Sequence, residues 1–446
     1  MRISLFFTSD EHGYLAGAPA IGRLVDEARR ENPGRVLFLS SGDIFQGAPE
    51  SEGEGGTPGL EVHAAAGYDA VEVGNHDFDN GPEFVRNWTR NAPYPVLCGN
   101  VRDRTTGGLL PGVKPWMIFN LDGVKVGLLG VLTPNTLNLG YQDKLRDFSF
   151  EDPVECAQRS YRELKAQGCE VVGALTHLEP EEDVAVAENV PLDFQLGGHK
   201  HEFREHPRLV RGVPVCQPGR YREAVGRLDL ELDPVTHRVV KFEHKLIRIS
   251  PSLEPDTRVG QIVQKYLERS RERDRQPVSF TDHAIEFDAA KSDEMDDAVA
   301  RALQCEAGTR VSLHNQKLPR TSLNAGEVTA GELRAVVPFP NYVVRMEVSR
   351  EQLLQMVEKS LNSPSPDASL HLGGLTVVPE RTPEGKLRVA SLQLEGGQPV
   401  PERLQVATTD FLAQGGLGYF PASNGLPPLL SLVRDALQAE LTRRIR

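Results

Sequence analysis

Ala70-Val71-Glu72-Val73-Gly74-Asn75-His76-Asp77-Phe78-Asp79 is the stretch from which the rest of the chain can be read. An apolar, strand-like run ends at Val73. A glycine follows, which lets backbone approach closely, and then an amide and an imidazole stand side by side. Four further clusters repeat the arrangement, each behind an apolar run: Asp10 and His12 in TSDEHG, Asp43 in SSGD, His177 in ALTH, and His199 and His201 in GGHKH. With Asn75 and His76 these are eight candidate metal ligands. Carboxylates, imidazoles and an amide carbonyl are donors that divalent metal ions take. A single histidine at a strand end is more often no ligand at all, and a lone D-x-H is common. Five clusters in succession describe one site assembled by a fold. Along an extended chain, residues i and i+2 point to the same side. Asp10 with His12, and His199 with His201, can therefore each reach a common ion. The two oxygens of Asp43 allow it to bridge two cations.

Working outward, apolar runs at Ile3–Phe7, Val36–Leu39, Ala70–Val73, Lys125–Val131, Val171–Leu175 and Asp193–Leu196 read as strands. Helical patterns lie between them at Ala20–Arg30, Gly59–Ala66, Pro82–Thr89 and Pro153–Gln167. Such alternation predicts α/β layers, and in α/β sheets ligands gather at the C-terminal ends of strands. The later runs Val213–Gln217, Ala224–Leu232 and Arg238–Ile249 follow without helices and read as a β-meander that closes a domain over residues 1–250. Pro251 and Pro255 then break the pattern. Arg258–Arg275 reads as a charged, solvated linker helix within residues 251–277.

Residues 278–446 read as a separate mixed α+β domain. Helices are expected at Asp288–Gln304, after Thr329 with capping-box spacing to Glu332, after Ser349 with the same spacing to Gln352, and at Pro428–Arg444. Strands are expected at Arg310–Asn315, Tyr342–Val348, Leu375–Val378, Leu387–Leu394 and Leu404–Thr408. Asn362–Ala368, rich in Ser and Pro, reads as a mobile loop.

The chain has 446 residues, 39% hydrophobic and 25% charged, enough core material for more than one domain. Its formal charge of −13 disfavours a general nucleic-acid surface, which needs a basic face. A small anionic substrate stays possible, because bound metals reverse the local field. Cys98, Cys156, Cys169, Cys216 and Cys305 are scattered and odd in number, which argues for reduced thiols rather than a disulfide framework. Met1 runs directly into the first strand and ligand cluster, so no signal peptide is expected. No apolar stretch approaches the roughly 18 residues of a membrane span. The expected location is cytoplasmic, away from membranes, with the oligomeric state open.

The order D-x-H, G-D, G-N-H-D, H, G-H-x-H resembles the calcineurin-like metallophosphoesterase superfamily. The resemblance implies a four-layer α/β/β/α sandwich. It implies that Asp10, His12, Asp43 and His201 hold one metal, and that Asp43, Asn75, His177 and His199 hold the other, with Asp43 as the bridge. It moves His76 out of the ligand set to a catalytic position over the phosphate, where it stabilises the transition state or protonates the leaving oxygen. Asp79 would orient and charge-stabilise that imidazole. Two cations about 3.5–4 Å apart lower the pKa of a shared water and clamp a phosphoryl group for in-line attack. Hydroxide is then available without a protein nucleophile. His-rich ligation suits Mn, Fe, Co or Zn better than Mg.

The second region resembles the C-terminal domain of the 5′-nucleotidase family, which includes UDP-sugar hydrolases and 2′,3′-cyclic-nucleotide phosphodiesterases. The matching segments are Val337-Pro338-Phe339-Pro340-Asn341 and Asp410-Phe411-Leu412-Ala413-Gln414-Gly415-Gly416. On that pattern Phe339 and Phe411 stack on a nucleobase, and Asn341, Asn315 and Arg320 are further substrate contacts. Asn315-Gln316-Lys317-Leu318-Pro319-Arg320 departs from the family's N-G-G-G-I-R by losing all three glycines. The family's ribose-contacting aspartate is Leu417 here. The implied activity is two-metal hydrolysis of small phosphate esters by metal-bound hydroxide, with nucleoside 5′-monophosphates as the leading substrates. Cyclic nucleotides, nucleotide sugars or another phosphoester are the alternatives, and a non-catalytic nucleotide sensor is a third reading.

Overall fold

The computed structural model describes residues 1–139, 142–250, 253–288, 293–364, 368–421 and 427–443. Pro251, residues 365–367 of the Ser/Pro-rich loop and Arg444 lie outside the described residues. The chain forms two compact units, Met1–Ser270 and Arg271–Arg446.

The first unit is built on two sheets. One has seven strands, in the order Val239–Arg248, Ala224–Leu232, Arg2–Thr8, Val36–Ser40, Ala70–Glu72, Val96–Leu97, Val113–Lys114. The other has six, in the order Arg208–Val210, Val213–Cys216, Phe194–Gly197, Val171–His177, Val124–Leu132, Trp116–Leu121. Each central strand is buried on both faces, so its residues read as a continuous apolar run instead of an alternating one. Ile3, Leu5, Phe7, Leu37 and Leu39 of one sheet pack against Val126, Leu128, Val171, Leu175 and Leu196 of the other. The opposite face of the first sheet carries Phe6, Phe38 and Val71 under the helices Ala18–Glu31 and Thr57–Ala66. The opposite face of the second carries Leu129, Val172 and Ala174 under Pro153–Ala166 and Pro180–Asn189. These are the four layers α/β/β/α.

Two expectations change in this part of the chain. The three late strands are not one meander. Val213–Cys216 pairs in parallel with Phe194–Gly197 in the second sheet, while Ala224–Leu232 and Val239–Arg248 form a hairpin on the first. The turn Gln217–Glu223 carries the chain from one sheet to the other, a crossing that strand-like composition alone does not reveal. The charged helix, Thr257–Asp274, is more than a solvated linker. Val259, Val263 and Tyr266 on one side of it belong to the core of the first unit.

The second unit centres on a five-stranded sheet, in the order Leu370–Gly373, Val311–Asn315, Arg403–Thr409, Tyr342–Ser349, Leu429–Leu432. Leu303 and Ala302 of the helix Glu294–Ala307 and Leu437 of the helix Val433–Arg443 pack together in one core. Leu353 and Val357 of the helix Arg350–Leu361 pack in another. Both expected capping boxes form: Thr329 accepts from the Glu332 N–H and Ser349 from the Gln352 N–H. The expected last helix is shorter, because Leu429–Leu432 is drawn into the sheet beside Tyr342 and Val344.

Candidate metal centre

The five clusters fall together at one edge of the first unit. Thr8, Ser40 and Glu72 end three adjacent parallel strands of the first sheet. His177 and Gly197 end two adjacent parallel strands of the second. Each candidate ligand is the last residue of its strand or lies two to four residues beyond it. Two facing sheets therefore contribute to one centre.

The turns that carry them are strained in a common way. Asp10, His12, Asp43, His199 and His201 all have positive φ, between 48° and 76°. Asp and His adopt this left-handed region more readily than most residues, yet it remains a sparsely populated conformation concentrated at functional sites. Burial and a hydrogen-bonded frame over-determine it. Asp10 N–H donates to the Gly42 carbonyl and His12 N–H to the Asp43 carbonyl, both at 2.9 Å. Asp77 accepts from the N–H groups of Gly74 (2.8 Å) and Ile44 (2.9 Å), tying the turn that bears Asn75 to the turn that bears Asp43. Gly74 meets a steric demand: a Cβ there would lie 2.1 Å from Asp43 Oδ1.

The ring nitrogens point to a common space. Asp43 Oδ2 lies 3.1 Å from His177 Nε2 and 3.6 Å from His12 Nε2, so one carboxylate oxygen faces imidazoles of both groups. Asp10 Oδ1 lies 3.4 Å from His201 Nε2 and 4.0 Å from His177 Nε2. Asn75 Oδ1 lies 3.1 Å from His177 Nε2 and 2.9 Å from His199 Nδ1. His12 Nε2 and His201 Nε2 stand 3.1 Å apart. Two overlapping groups, Asp10–His12–His201 and Asp10–Asp43–His177, have ligand atoms close enough to hold an ion each.

The far side of each ring decides whether a cation fits. His177 Nδ1 is 2.6 Å from the Ser41 carbonyl, His12 Nδ1 is 3.2 Å from the Gln46 carbonyl, and His199 Nε2 is 3.0 Å from a Glu179 carboxylate oxygen. Those partners only accept, so the ring proton sits on that nitrogen and the inward nitrogen keeps its lone pair. Lone pairs of His12 and His177 then face the oxygens of Asp43, and those of His177 and His199 face Asn75 Oδ1. Such a convergence is repulsive unless a positive charge lies among them. A proton can serve: burial disfavours a charged His177, but Asp43 outweighs it and takes the imidazole up to about 10. Divalent cations serve the same geometry, and the donor set fits them. Burial likewise opposes ionisation of Asp43, yet His177, His76 and His12 hold its carboxyl well below the usual range.

His76 is set apart from these nitrogens. Its backbone N–H donates to Asp43 Oδ1 at 2.8 Å, while the ring Nδ1 turns to Asp79 Oδ2 at 2.7 Å. The ring stands 5.1 Å from that of His12 and its side chain is half exposed. Burial lowers the pKa of this imidazole, but Asp43 and Asp79 more than compensate and take it to about 9.

Several neighbours carried no distinguishing signal in the sequence. Asp77 sits inside the GNHD quartet without a role that residue type suggests. Glu179 follows His177 by two residues and precedes a helix. Tyr221 reaches the centre from the turn between the sheets, its ring 5.7 Å from His12, 5.9 Å from His201 and 4.3 Å from Tyr14.

In the second unit, Phe339 and Phe411 are large aromatic side chains left 47% and 44% exposed. Asp410 Oδ1 accepts from Asn341 Nδ2 (3.2 Å), Tyr342 N–H (3.0 Å) and Phe411 N–H (2.9 Å), which ties the two phenylalanine-bearing segments together. Arg320 lies over Phe339, its Cζ 5.1 Å from the ring centroid. Asn315 ends its strand, and no contact joins its side chain to these groups among the described residues. The loop that replaces the glycines is anchored by Leu318, which is buried in the core. Leu417 adopts φ 57° and is 37% exposed, with Lys359 Nζ donating to its carbonyl at 2.9 Å.

Comparison with known proteins bears on both units. Residues 3–203 match the family model for calcineurin-like phosphoesterases, and residues 276–424 match that for the 5′-nucleotidase C-terminal domain. The chain belongs to the two-domain calcineurin-like phosphoesterases. It is a metal-dependent phosphoric ester hydrolase. This phosphoesterase is 25% identical to a 5′-nucleotidase of Vibrio vulnificus over 487 residues, covering 96% of this chain and 87% of the relative. It is 24% identical to Protein UshA of Escherichia coli over 480 residues, covering 94% and 86%. Among solved structures, the 5′-nucleotidase precursor of Thermus thermophilus shares its fold with a TM-score of 0.69 at 22% identity, covering 100% of this chain and 97% of that one.

Proposed function

We propose that this phosphoesterase is a 5′-nucleotidase that releases phosphate from nucleoside monophosphates. The observation that carries the reaction is the convergence of imidazole lone pairs and carboxylate oxygens from two sheets on one space. Asp10, His12, Asp43 and His201 would hold one divalent cation, and Asp43, Asn75, His177 and His199 the other. Asp43 Oδ2, facing both His12 and His177, supports the bridging role. When bound, the two cations would activate a water for attack and neutralise the phosphoryl charge. His76 is held at Nδ1 by Asp79 with its side chain half exposed, and an imidazolium there can stabilise the developing charge or give a proton to the leaving oxygen.

The substrate rests on the second unit. Exposed phenylalanines suit the face of a flat ring, and stacking of this kind is tolerant of base identity. The relatives named 5′-nucleotidase support the same reading. Leu417 favours a second reading, since an exposed leucine offers no hydrogen bond to a sugar hydroxyl: a cyclic nucleotide, a nucleotide sugar or another phosphoester in place of the monophosphate. A cytoplasmic location is part of the proposal, and the five cysteines, all free thiols, are consistent with a reducing compartment.

The test is phosphate release from a panel of AMP, other nucleoside monophosphates, 2′,3′-cyclic AMP and UDP-glucose. It uses enzyme stripped with chelator and reloaded with Mn²⁺, Zn²⁺, Co²⁺ or Fe²⁺. Metal-dependent turnover fastest on the 5′-monophosphates is expected. Activity that survives complete metal removal would sink the metal-centre reading, and a preference for the cyclic or sugar-bearing substrates would sink the 5′-nucleotidase reading alone.

A further inference from the structure

Three side chains that Glu179 contacts belong to the surroundings of the centre. Its Oε1 lies 3.0 Å from His199 Nε2 and accepts from Asn135 Nδ2 at 2.8 Å. Its Oε2 takes the ammonium of Lys200 at 2.5 Å. The residue is also the N-cap of the helix Pro180–Asn189, in a capping box with Glu182, whose Oε2 accepts the Glu179 N–H at 3.0 Å. The carboxylate is mostly buried, with 19% of the side chain exposed, so solvent weakens these contacts little.

The consequence for His199 is a choice of nitrogen. An imidazole at the mouth of a turn can present either ring nitrogen. A carboxylate on Nε2 puts the proton there and leaves Nδ1, 2.9 Å from Asn75 Oδ1, with its lone pair toward the centre. His12 and His177 are held from behind by backbone carbonyls and present Nε2 instead. Of these three rings, His199 is the one held by a charged group. A carboxylate behind a histidine makes the imidazole a more basic donor, and losing such a partner costs about 10–100-fold in metal affinity.

We infer that Glu179 is a positioning residue for His199, fixing its tautomer and ring orientation so that one of the two cations, and not the other, depends on it. This rests on the metal-centre reading above. Lys200 and Asn135 hold the carboxylate in place from the other sides. The sequence therefore couples the start of one helix to the occupancy of one ion.

The experiment is calorimetric titration of Mn²⁺ into the chelator-stripped full chain, with thermal unfolding of each metal-free protein alongside. The wild type is expected to bind two ions. Glu179→Ala is expected to weaken one of them about 10–100-fold and to leave the other near wild type, with a metal-free melting temperature lowered no further than in Glu182→Ala, which also breaks the capping box. Glu179→Gln keeps an acceptor for the ring N–H without the charge, so it should fall between. Glu182→Ala removes the helix partner without touching His199 and should bind both ions as wild type does. Two wild-type affinities in Glu179→Ala would overturn the inference. So would equal weakening of both ions together with a lowered metal-free melting temperature, since that pattern marks a structural role. A wild type that binds no ion would overturn the metal-centre reading itself, a result distinct from either.

Discussion

The two units handle their polar chemistry in opposite ways. In the first, Asp10, Asp43 and His177 are fully or almost fully buried, and their outer atoms are held by backbone and side chains. In the second, Phe339, Phe411 and Leu417 stand in solvent, and only the segments beneath them are tied down by Asp410. A buried, strained cluster tolerates almost no change, because each member is fixed by the others. An exposed aromatic patch tolerates substitution and changes preference instead. The first arrangement suits a reaction common to all phosphate esters, and the second suits selection among them.

The sharpest way to break that contrast is Asp43→Ala. It removes the oxygen that faces both imidazole groups, so phosphate release should fall to background on every substrate. That includes 4-nitrophenyl phosphate, which needs no nucleobase site. Circular dichroism should keep its wild-type form. Residual turnover above a hundredth of wild type would mean that the centre does not depend on a shared carboxylate.

Next in size is His76→Ala, expected to lower kcat by about 10²–10⁴ on all substrates while leaving metal binding intact. Asp79→Asn should lower kcat less and move the acid-base profile, because the imidazole loses the carboxylate that favours its protonated form. Burial already pulls the ring's pKa down, so the variant should need a lower pH to keep the ring protonated. An unchanged profile would remove Asp79 from the catalytic pair.

Much of this was legible in the sequence, and the reasons are local. The ligand clusters lie in short turns directly after apolar strands, so residue type and position along the chain are enough to find them. The strand order brings Asp43 beside Asn75 through contacts between sequential neighbours. What escaped has non-local causes. Glu179 matters only because the second sheet sets His199 beside it. The crossing at Gln217–Glu223, and with it the place of Tyr221, depends on which sheet edge is free. Strand composition does not record that. The core face of Thr257–Asp274 was hidden by its charged residues, since Val259, Val263 and Tyr266, with Ile262 and Leu267 partly buried beside them, suffice to seat it. In the second unit, Leu318 stands at one of the lost glycine positions and turns into the core.

Phe411→Ala and Phe339→Ala sharpen the comparison from the other side. Each should raise KM for AMP by an amount that corresponds to about 1–3 kcal/mol of lost stacking, and each should leave turnover of 4-nitrophenyl phosphate near wild type. The substrate-dependent split is the point: a patch used for selection affects only what it selects. Equal losses on both substrates would assign these rings to folding.

The smallest expected effect separates the two units by acid stability. His314 and His371 stack with ring centroids 5.0 Å apart in the second unit. Burial takes the pKa of each down to about 4, and for His314 the neighbouring ring adds to it. His371 Nε2 is 3.2 Å from Asp297 Oδ1, a contact that by itself favours the charged ring. Asp297 is largely exposed, so solvent screens its pull and burial prevails. Because the folded pKa lies below the unfolded value of about 6.5, the unfolded chain binds more protons between these limits. The stabilisation is complete above pH 6.5 and is lost progressively as pH falls toward 4. By pH 5.5 the cost is about 1 kcal/mol per ring. Thermal unfolding of the metal-free chain at pH 7.5 and 5.5 measures it. His371→Gln should narrow the difference in melting temperature between the two pH values, since a ring that cannot protonate contributes no slope. An undiminished difference would place the acid sensitivity elsewhere, and buried His63 of the first unit, also held well below its ordinary pKa by burial, would be the next position to substitute.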